Sequence, residues 1–146
     1  MTPSSYASVK DPSSRRVIIL LVEDEPFVRE ATCSILEHAG FEVLPAADAP
    51  SALQVFEERQ CAIDLVMTDM VLPGATGQEL GEAIRQRSPT IIVLVTSGYI
   101  NSEYEVEAPE SRTYFLPKPY SRRTLIDKIE KMLADKPRAR PASQAS

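Results

Sequence analysis

Histidine is nearly absent from this chain of 146 residues, with His38 alone, and tryptophan is missing altogether. The two cysteines, Cys33 and Cys61, have neither the spacing of metal ligands nor histidine partners. A metal site built on thiols and imidazoles is thereby excluded, and both cysteines read as small apolar residues of a reducing compartment. Sixteen lysines and arginines stand against 21 acidic residues, a net charge of −5. That balance lacks the basic face that direct nucleic-acid binding needs. No apolar run approaches the roughly 18 residues of a membrane span, and the opening MTPSSYASVKDPSS has no signal-peptide core. The expectation is a cytoplasmic protein without membrane insertion.

What is present is an alternation of strand and helix, repeated five times between two tails. Residues 1–15 and 136–146 are rich in Ser, Pro and Ala without apolar periodicity, and read as disordered. Residues 16–135 form one domain. Residues 17–22 and 91–95 are unbroken apolar runs, the pattern of strands covered on both faces of a parallel sheet. Shorter strands are expected at 41–44, 63–68 and 113–116. Helix one starts at Pro26, an allowed first-turn proline, presents Val28, Ala31, Ile35 and Leu36 on one face, and closes at Ala39-Gly40. Asp48 caps helix two, whose stripe is Ala49, Ala52, Leu53 and Phe56. Thr76 and Glu79 have capping-box spacing at the start of helix three, with Leu80, Ala83 and Ile84 on its inner face. Residues 100–111 carry Glu103, Glu105, Glu107 and Glu110, and Pro109 limits them to a short or frayed fourth helix. The last helix begins near Ser121 and buries Leu125, Ile129, Met132 and Leu133. Alternation of this kind predicts an α/β fold with five parallel strands and helices on both sides.

Ligands of such sheets bind beyond the carboxyl ends of the strands. Strand one ends in Glu23-Asp24, strand three in Asp69, strand four in Thr96-Ser97-Gly98 and strand five in Pro117-Lys118-Pro119. Carboxylates brought to one spot repel unless a cation lies among them, and an open all-oxygen cluster suits Mg²⁺ with a phosphoryl substrate. Asp69, at the centre, is placed to attack phosphorus, while the metal and Lys118 stabilise the transferring group. Each element alone has an ordinary explanation: a helix cap for Asp69 or the Glu-Asp pair, a solvated loop for Lys118. Their conjunction at successive strand ends does not.

The stretches LLVEDEPFVR, DLVMTDMVLPGATGQEL, IIVLVTSGY and YFLPKPYS resemble the receiver domain of two-component response regulators over residues 16–135. The resemblance implies a flavodoxin-like, doubly wound sheet of order 2-1-3-4-5 with five helices, the fourth short or frayed. It also implies that Asp69 is the phosphoacceptor and that Asp24, Asp69 and the main-chain carbonyl of Val71 bind Mg²⁺. Glu23 stands where the family more often has Asp, and its longer side chain suits contact through water. Ser97 matches the hydroxyl that senses the phosphoryl group, Lys118 the lysine that pairs with it, and Phe115 the aromatic that changes rotamer. Thr96 is adjacent to Ser97, but alternation along the strand turns it to the opposite side. Val71 and Tyr99 flank the path of the water that would hydrolyse the phosphoryl group. The Lys118-Pro119 bond is commonly cis in relatives.

The function implied is a switch, not an enzyme, that takes a phosphoryl group from a histidine kinase or histidine phosphotransfer protein and signals to an unknown protein partner. Two alternatives stand beside it. A Mg²⁺-dependent phosphatase would carry a second acid two residues after its nucleophile, where this chain has Val71. A phosphorylation-independent binding scaffold would not need the acid, hydroxyl and lysine together. Phe27 and Val28 read as core or edge packing, or as part of a kinase-docking surface. His38 reads as an ordinary surface residue. No DNA-binding segment is evident after residue 135, so the expectation lies between a stand-alone regulator and a receiver cut from a hybrid kinase.

Overall fold

The computed structural model describes residues 16–59, 62–98 and 112–134. In chain order the elements are β1 (Ile18–Val22), α1 (Pro26–His38), β2 (Glu42–Ala46), α2 (Ala49–Arg59), β3 (Leu65–Asp69), β4 (Val71–Leu72), β5 (Ala75–Thr76), α3 (Gly77–Arg87), β6 (Ile92–Ser97), β7 (Thr113–Pro117) and α4 (Arg122–Ala134). Five strands pair in parallel in the order β2-β1-β3-β6-β7. With the short antiparallel pair β4–β5 left out, this is the expected 2-1-3-4-5 doubly wound sheet. The expected fourth helix and both tails lie outside the described residues, as does Cys61. Among the described residues no helix is long and apolar enough to cross a membrane.

Period-two alternation divides the core between the sheet's two faces. Ile18, Leu20, Val22, Val66, Val93, Val95 and Phe115 pack with Ala52 and Phe56 of α2 and Leu80 and Ile84 of α3. Ile19, Leu21, Leu65, Met67, Ile92 and Leu94 pack with Leu36 of α1 and Leu125, Ile129 and Met132 of α4. All five residues of β1 and all six of β6 are buried, which explains the unbroken apolar runs of residues 18–22 and 92–95.

Caps fix where the helices start. The Asp48 Oδ1 accepts from the Ser51 amide at 2.8 Å, and the Ser121 hydroxyl accepts from the Thr124 amide at 3.0 Å. At α3 the capping box is complete, with both arms at 3.0 Å between Thr76 and Glu79.

The inner face of α1 and the strand ends differ from expectation. Val28 and Ala31 are not on the core face of α1; its buried residues are Thr32 and Leu36. The first turns of α1 overhang the carboxyl edge of the sheet, so no strand lies beneath them, and Phe27 is left 81% exposed. The residues on either side of Pro73-Gly74 form a short hairpin: Val71 pairs with Thr76 and Leu72 with Ala75. Gly74 has φ +76°, the value a type II turn demands after proline. The strands also run slightly later than read, β2 to Ala46, β3 to Asp69 and β6 to Ser97, each carried on by its neighbour's ladder.

Candidate functional site

Parallel pairing delivers the carboxyl ends of β1, β3, β6 and β7 to one edge of the sheet. Asp69 is the last residue of β3, level with Thr96 of β6. Glu23 directly follows β1, and its amide donates to the Ala46 carbonyl at 3.0 Å, prolonging the β1–β2 ladder by one bond. Lys118 follows β7, and its amide donates to the Ser97 carbonyl at 2.7 Å. The Lys118-Pro119 peptide is cis.

These placements bring the charged side chains together. The Lys118 Nζ lies 3.2 Å from the Asp69 Oδ1 and 3.4 Å from the Glu23 Oε1. Glu23, Asp24 and Asp69 each present a carboxylate oxygen within 4.8 Å of the others. Glu23 is buried, Asp69 is half-buried and Asp24 is exposed. Burial, and then the charge of Asp69, lift the Glu23 carboxyl above the usual range, against the Glu25 amide and Lys118, which pull it down. For Lys118, burial opposes the charged form, but Asp69 and Glu23 outweigh it and hold the ammonium above the ordinary lysine value. One ammonium among three carboxylates leaves an excess of negative charge at a half-open edge. A hard dication fits such a donor set, since all its ligands are oxygen and water can complete the shell.

The loop that carries the acids is tied down. The Glu23 Oε2 accepts from the Glu25 amide at 3.2 Å, and the Glu25 Oε1 caps α1 by accepting from the Phe27 amide at 3.1 Å. Arg29 Nη1 donates to the Glu23 carbonyl at 2.8 Å. Behind Asp69, α3 comes so close that Gly77 has no room for a Cβ, which would collide with the Asp69 carbonyl. The Gly77 amide donates to the Met70 carbonyl at 2.7 Å.

Ser97 and Phe115 are both buried. Alternation sets Ser97 on the face of Val93, Val95 and Phe115, and Thr96 on that of Ile92 and Leu94. The Thr96 hydroxyl turns to the Thr68 carbonyl at 3.5 Å. Val71 opens the hairpin two residues after Asp69 and is 57% exposed. Tyr99 lies outside the described residues. Phe27, Val28, Ala31, Thr32, Pro119 and Tyr120 line a largely apolar groove of about 400 Å³ that reaches Lys118. His38 is exposed at the far end of α1, with Nδ1 3.0 Å from the Ser34 carbonyl oxygen. Cys33 is half-buried and free, and burial pushes its thiol up. Sequence reasoning missed Arg29, Gly77 and the hairpin; only the turn-forming Pro73-Gly74 after Val71-Leu72 signalled any of them.

The family model for the response regulator receiver domain matches residues 19–130. The sensor kinase CckA of Brucella abortus (strain 2308) is 34% identical over 116 residues, covering 79% of this chain and 12% of the kinase. The sensory transduction protein RegX3 of Mycolicibacterium smegmatis is 33% identical over 115 residues, 79% of this chain and 50% of that protein. The chain thus spans half or less of these two curated relatives. The crystal structure of the receiver domain from the hybrid histidine kinase CckA is similar at a TM-score of 0.70 and 37% identity, covering 80% of this chain and 98% of that one.

Proposed function

We propose that this chain, which belongs to the response regulator receiver domain family, takes a phosphoryl group onto Asp69 from a histidine kinase or histidine phosphotransfer protein. Receiver domains are signalling switches of two-component systems. The receiver unit is taken as residues 16–135. The observation that carries the assignment is the position of Asp69, at a strand end, 3.2 Å from the Lys118 ammonium and grouped with two further carboxylates.

In the proposed reaction an Asp69 carboxylate oxygen attacks phosphorus in line with the departing imidazole nitrogen. The P–N bond breaks as the P–O bond of an acyl phosphate forms. Lys118, held protonated by its two acidic neighbours, moves from Asp69 to an oxygen of the arriving group. Glu23, Asp24, Asp69 and the Val71 carbonyl would hold Mg²⁺, Glu23 through water. When bound, that ion offsets the negative charge of phosphoryl group and carboxylates. Ser97 would donate its hydroxyl to the phosphoryl group, and Phe115, on the same face of the sheet, would follow it with a change of rotamer. The groove beside Lys118, with Phe27 at its rim, suits the apolar face of a helix on the phosphodonor protein.

The test is incubation with a small acyl-phosphate donor and Mg²⁺, read by intact mass. A single phosphoryl adduct mapped to Asp69 supports the reading; no adduct, with partner binding retained, supports a scaffold instead. Asp24→Ala is expected to weaken Mg²⁺ binding by roughly tenfold or more, because the remaining oxygens are too few to compete with water. Equal affinity in a metal titration would move the site elsewhere.

The phosphoryl group is expected to be long-lived. Neither Val71 nor Tyr99 has an amide or carboxylate to align a water for in-line attack. The double variant Val71→Asn, Tyr99→Glu should lose its phosphoryl group about tenfold faster, each introduced polar group orienting water. Decay of the adduct at fixed Mg²⁺ measures this, and an unchanged rate in the double variant would contradict it.

A further inference from the structure

We infer that Arg29 is a positioning residue for the acidic pair: its guanidinium, bonded to the Glu23 carbonyl at 2.8 Å, sets the peptide between Glu23 and Asp24 and so aims both carboxylates. The inference rests on the reading of Glu23 and Asp24 as holders of Mg²⁺. Arg29 touches neither metal nor phosphoryl group in this account; it acts through the loop.

Glu23 is pinned at its amide and at its carboxylate. The Glu23 amide is held by Ala46, and its carboxylate by the Glu25 amide and Lys118. Its carbonyl is the remaining handle. At the end of β1 the chain leaves the sheet for α1, so no strand neighbour takes that oxygen. Arg29 is one turn inside α1, where its amide bonds the Glu25 carbonyl at 2.8 Å. The helix that the loop enters therefore reaches back to fix the peptide from which Asp24 projects. Asp24 is exposed and, among the described residues, no hydrogen bond or ion pair holds its side chain, so the orientation of its backbone decides where its carboxylate points.

The sign of the effect makes the idea testable. Arg29 is a cation near a cation site. If it acted only through its charge, its removal would tighten Mg²⁺ binding by relieving repulsion. If it acts by positioning, removal loosens binding in spite of that relief. Arg29→Met keeps most of the stem's packing and deletes both the charge and the donors. Its Mg²⁺ dissociation constant is expected to rise about fivefold, toward the lower end of what loss of a supporting bond to a metal ligand costs. Arg29→Lys keeps one donor with reach and should return the constant to within about twofold of the parent.

The measurement is a Mg²⁺ titration of the full chain followed by amide chemical shifts, with thermal unfolding in the absence of Mg²⁺ to establish that each variant is folded. Asp24→Ala is titrated in parallel. Binding in Arg29→Met that is equal to or tighter than the parent overturns the inference, and so does Arg29→Lys performing no better than Arg29→Met. If Asp24→Ala binds as the parent does, the metal-site reading fails first. Loss in Asp24→Ala with none in Arg29→Met isolates the failure to Arg29.

Discussion

Asp69→Asn is expected to reduce phosphoryl uptake to background while leaving the fold at least as stable as the parent. The amide has the shape of the carboxylate but is a poor nucleophile, so chemistry is lost without steric change. The stability half follows from the charges around it. Asp69 loses its ion pair with Lys118, at 3.2 Å and partly open to water. A pair of that exposure contributes about 0–1 kcal/mol, and the asparagine oxygen can still accept from the ammonium. Against this, one of three crowded carboxylates is removed, and Glu23, whose carboxyl is lifted first by burial and also by Asp69, is relieved. Thermal unfolding without Mg²⁺ should therefore show a midpoint equal to or above that of the parent. Intact mass after treatment with the small phosphodonor should show no adduct. Uptake at the parental rate would place the acceptor on another residue. A large fall in midpoint would mean that Asp69 is a structural anchor and not a carboxylate held under mutual repulsion.

Much of this site was legible before any coordinates because strands advertise their ends. In β1 the apolar run stops where the strand stops, and in β6 it stops two residues before the strand's end, so the first polar residues after each run stand at the carboxyl edge. Lys118 and Glu23 are 95 residues apart, yet both could be sent to the same edge by counting strands. The β3 segment was readable for the same reason, with Asp69 closing a buried run. What could not be read depends on height above the sheet and on main-chain partners. Helical spacing reveals which residues of α1 share a face, but not that its first turns project past the strands, so Val28 and Ala31 were assigned inward. Buried Thr32 was overlooked because its polar partner, the Tyr120 hydroxyl, comes from the far end of the chain. The two-residue strands β4 and β5 are too short for any alternation to register. The bond from Arg29 to a carbonyl leaves no trace in residue types, because every residue has that carbonyl.

Gly77→Ala is expected to be the most damaging single-methyl change in the described chain, costing about 3 kcal/mol, at the upper end of overpacking effects. The added Cβ would overlap the carbonyl oxygen of Asp69 and crowd the Thr68 methyl group. Neither neighbour is a flexible side-chain tip that can swing aside. The Asp69 carbonyl is backbone in a buried strand and accepts from the Thr68 hydroxyl at 2.9 Å. Gly77 is held on its other side by its bond to the Met70 carbonyl and by the capping box that starts α3. Relief therefore requires α3 to move off the sheet or the end of β3 to move, and the second displaces the Asp69 carboxylate itself. Gly74→Ala is the control. Its strain is conformational only, since φ is +76° and nothing lies within 4 Å of the new Cβ. It should cost about 1 kcal/mol, the usual penalty for a left-handed residue other than glycine. Denaturant unfolding should thus separate the two alanine variants by about 2 kcal/mol, the difference between overpacking and turn strain. Phosphoryl uptake should separate them further: Gly74→Ala near the parental rate, and Gly77→Ala slowed by tenfold or more, as expected when a nucleophile is displaced by about 1 Å. If Gly77→Ala were as stable as Gly74→Ala and took up phosphoryl groups normally, the close approach of α3 would not be what positions Asp69.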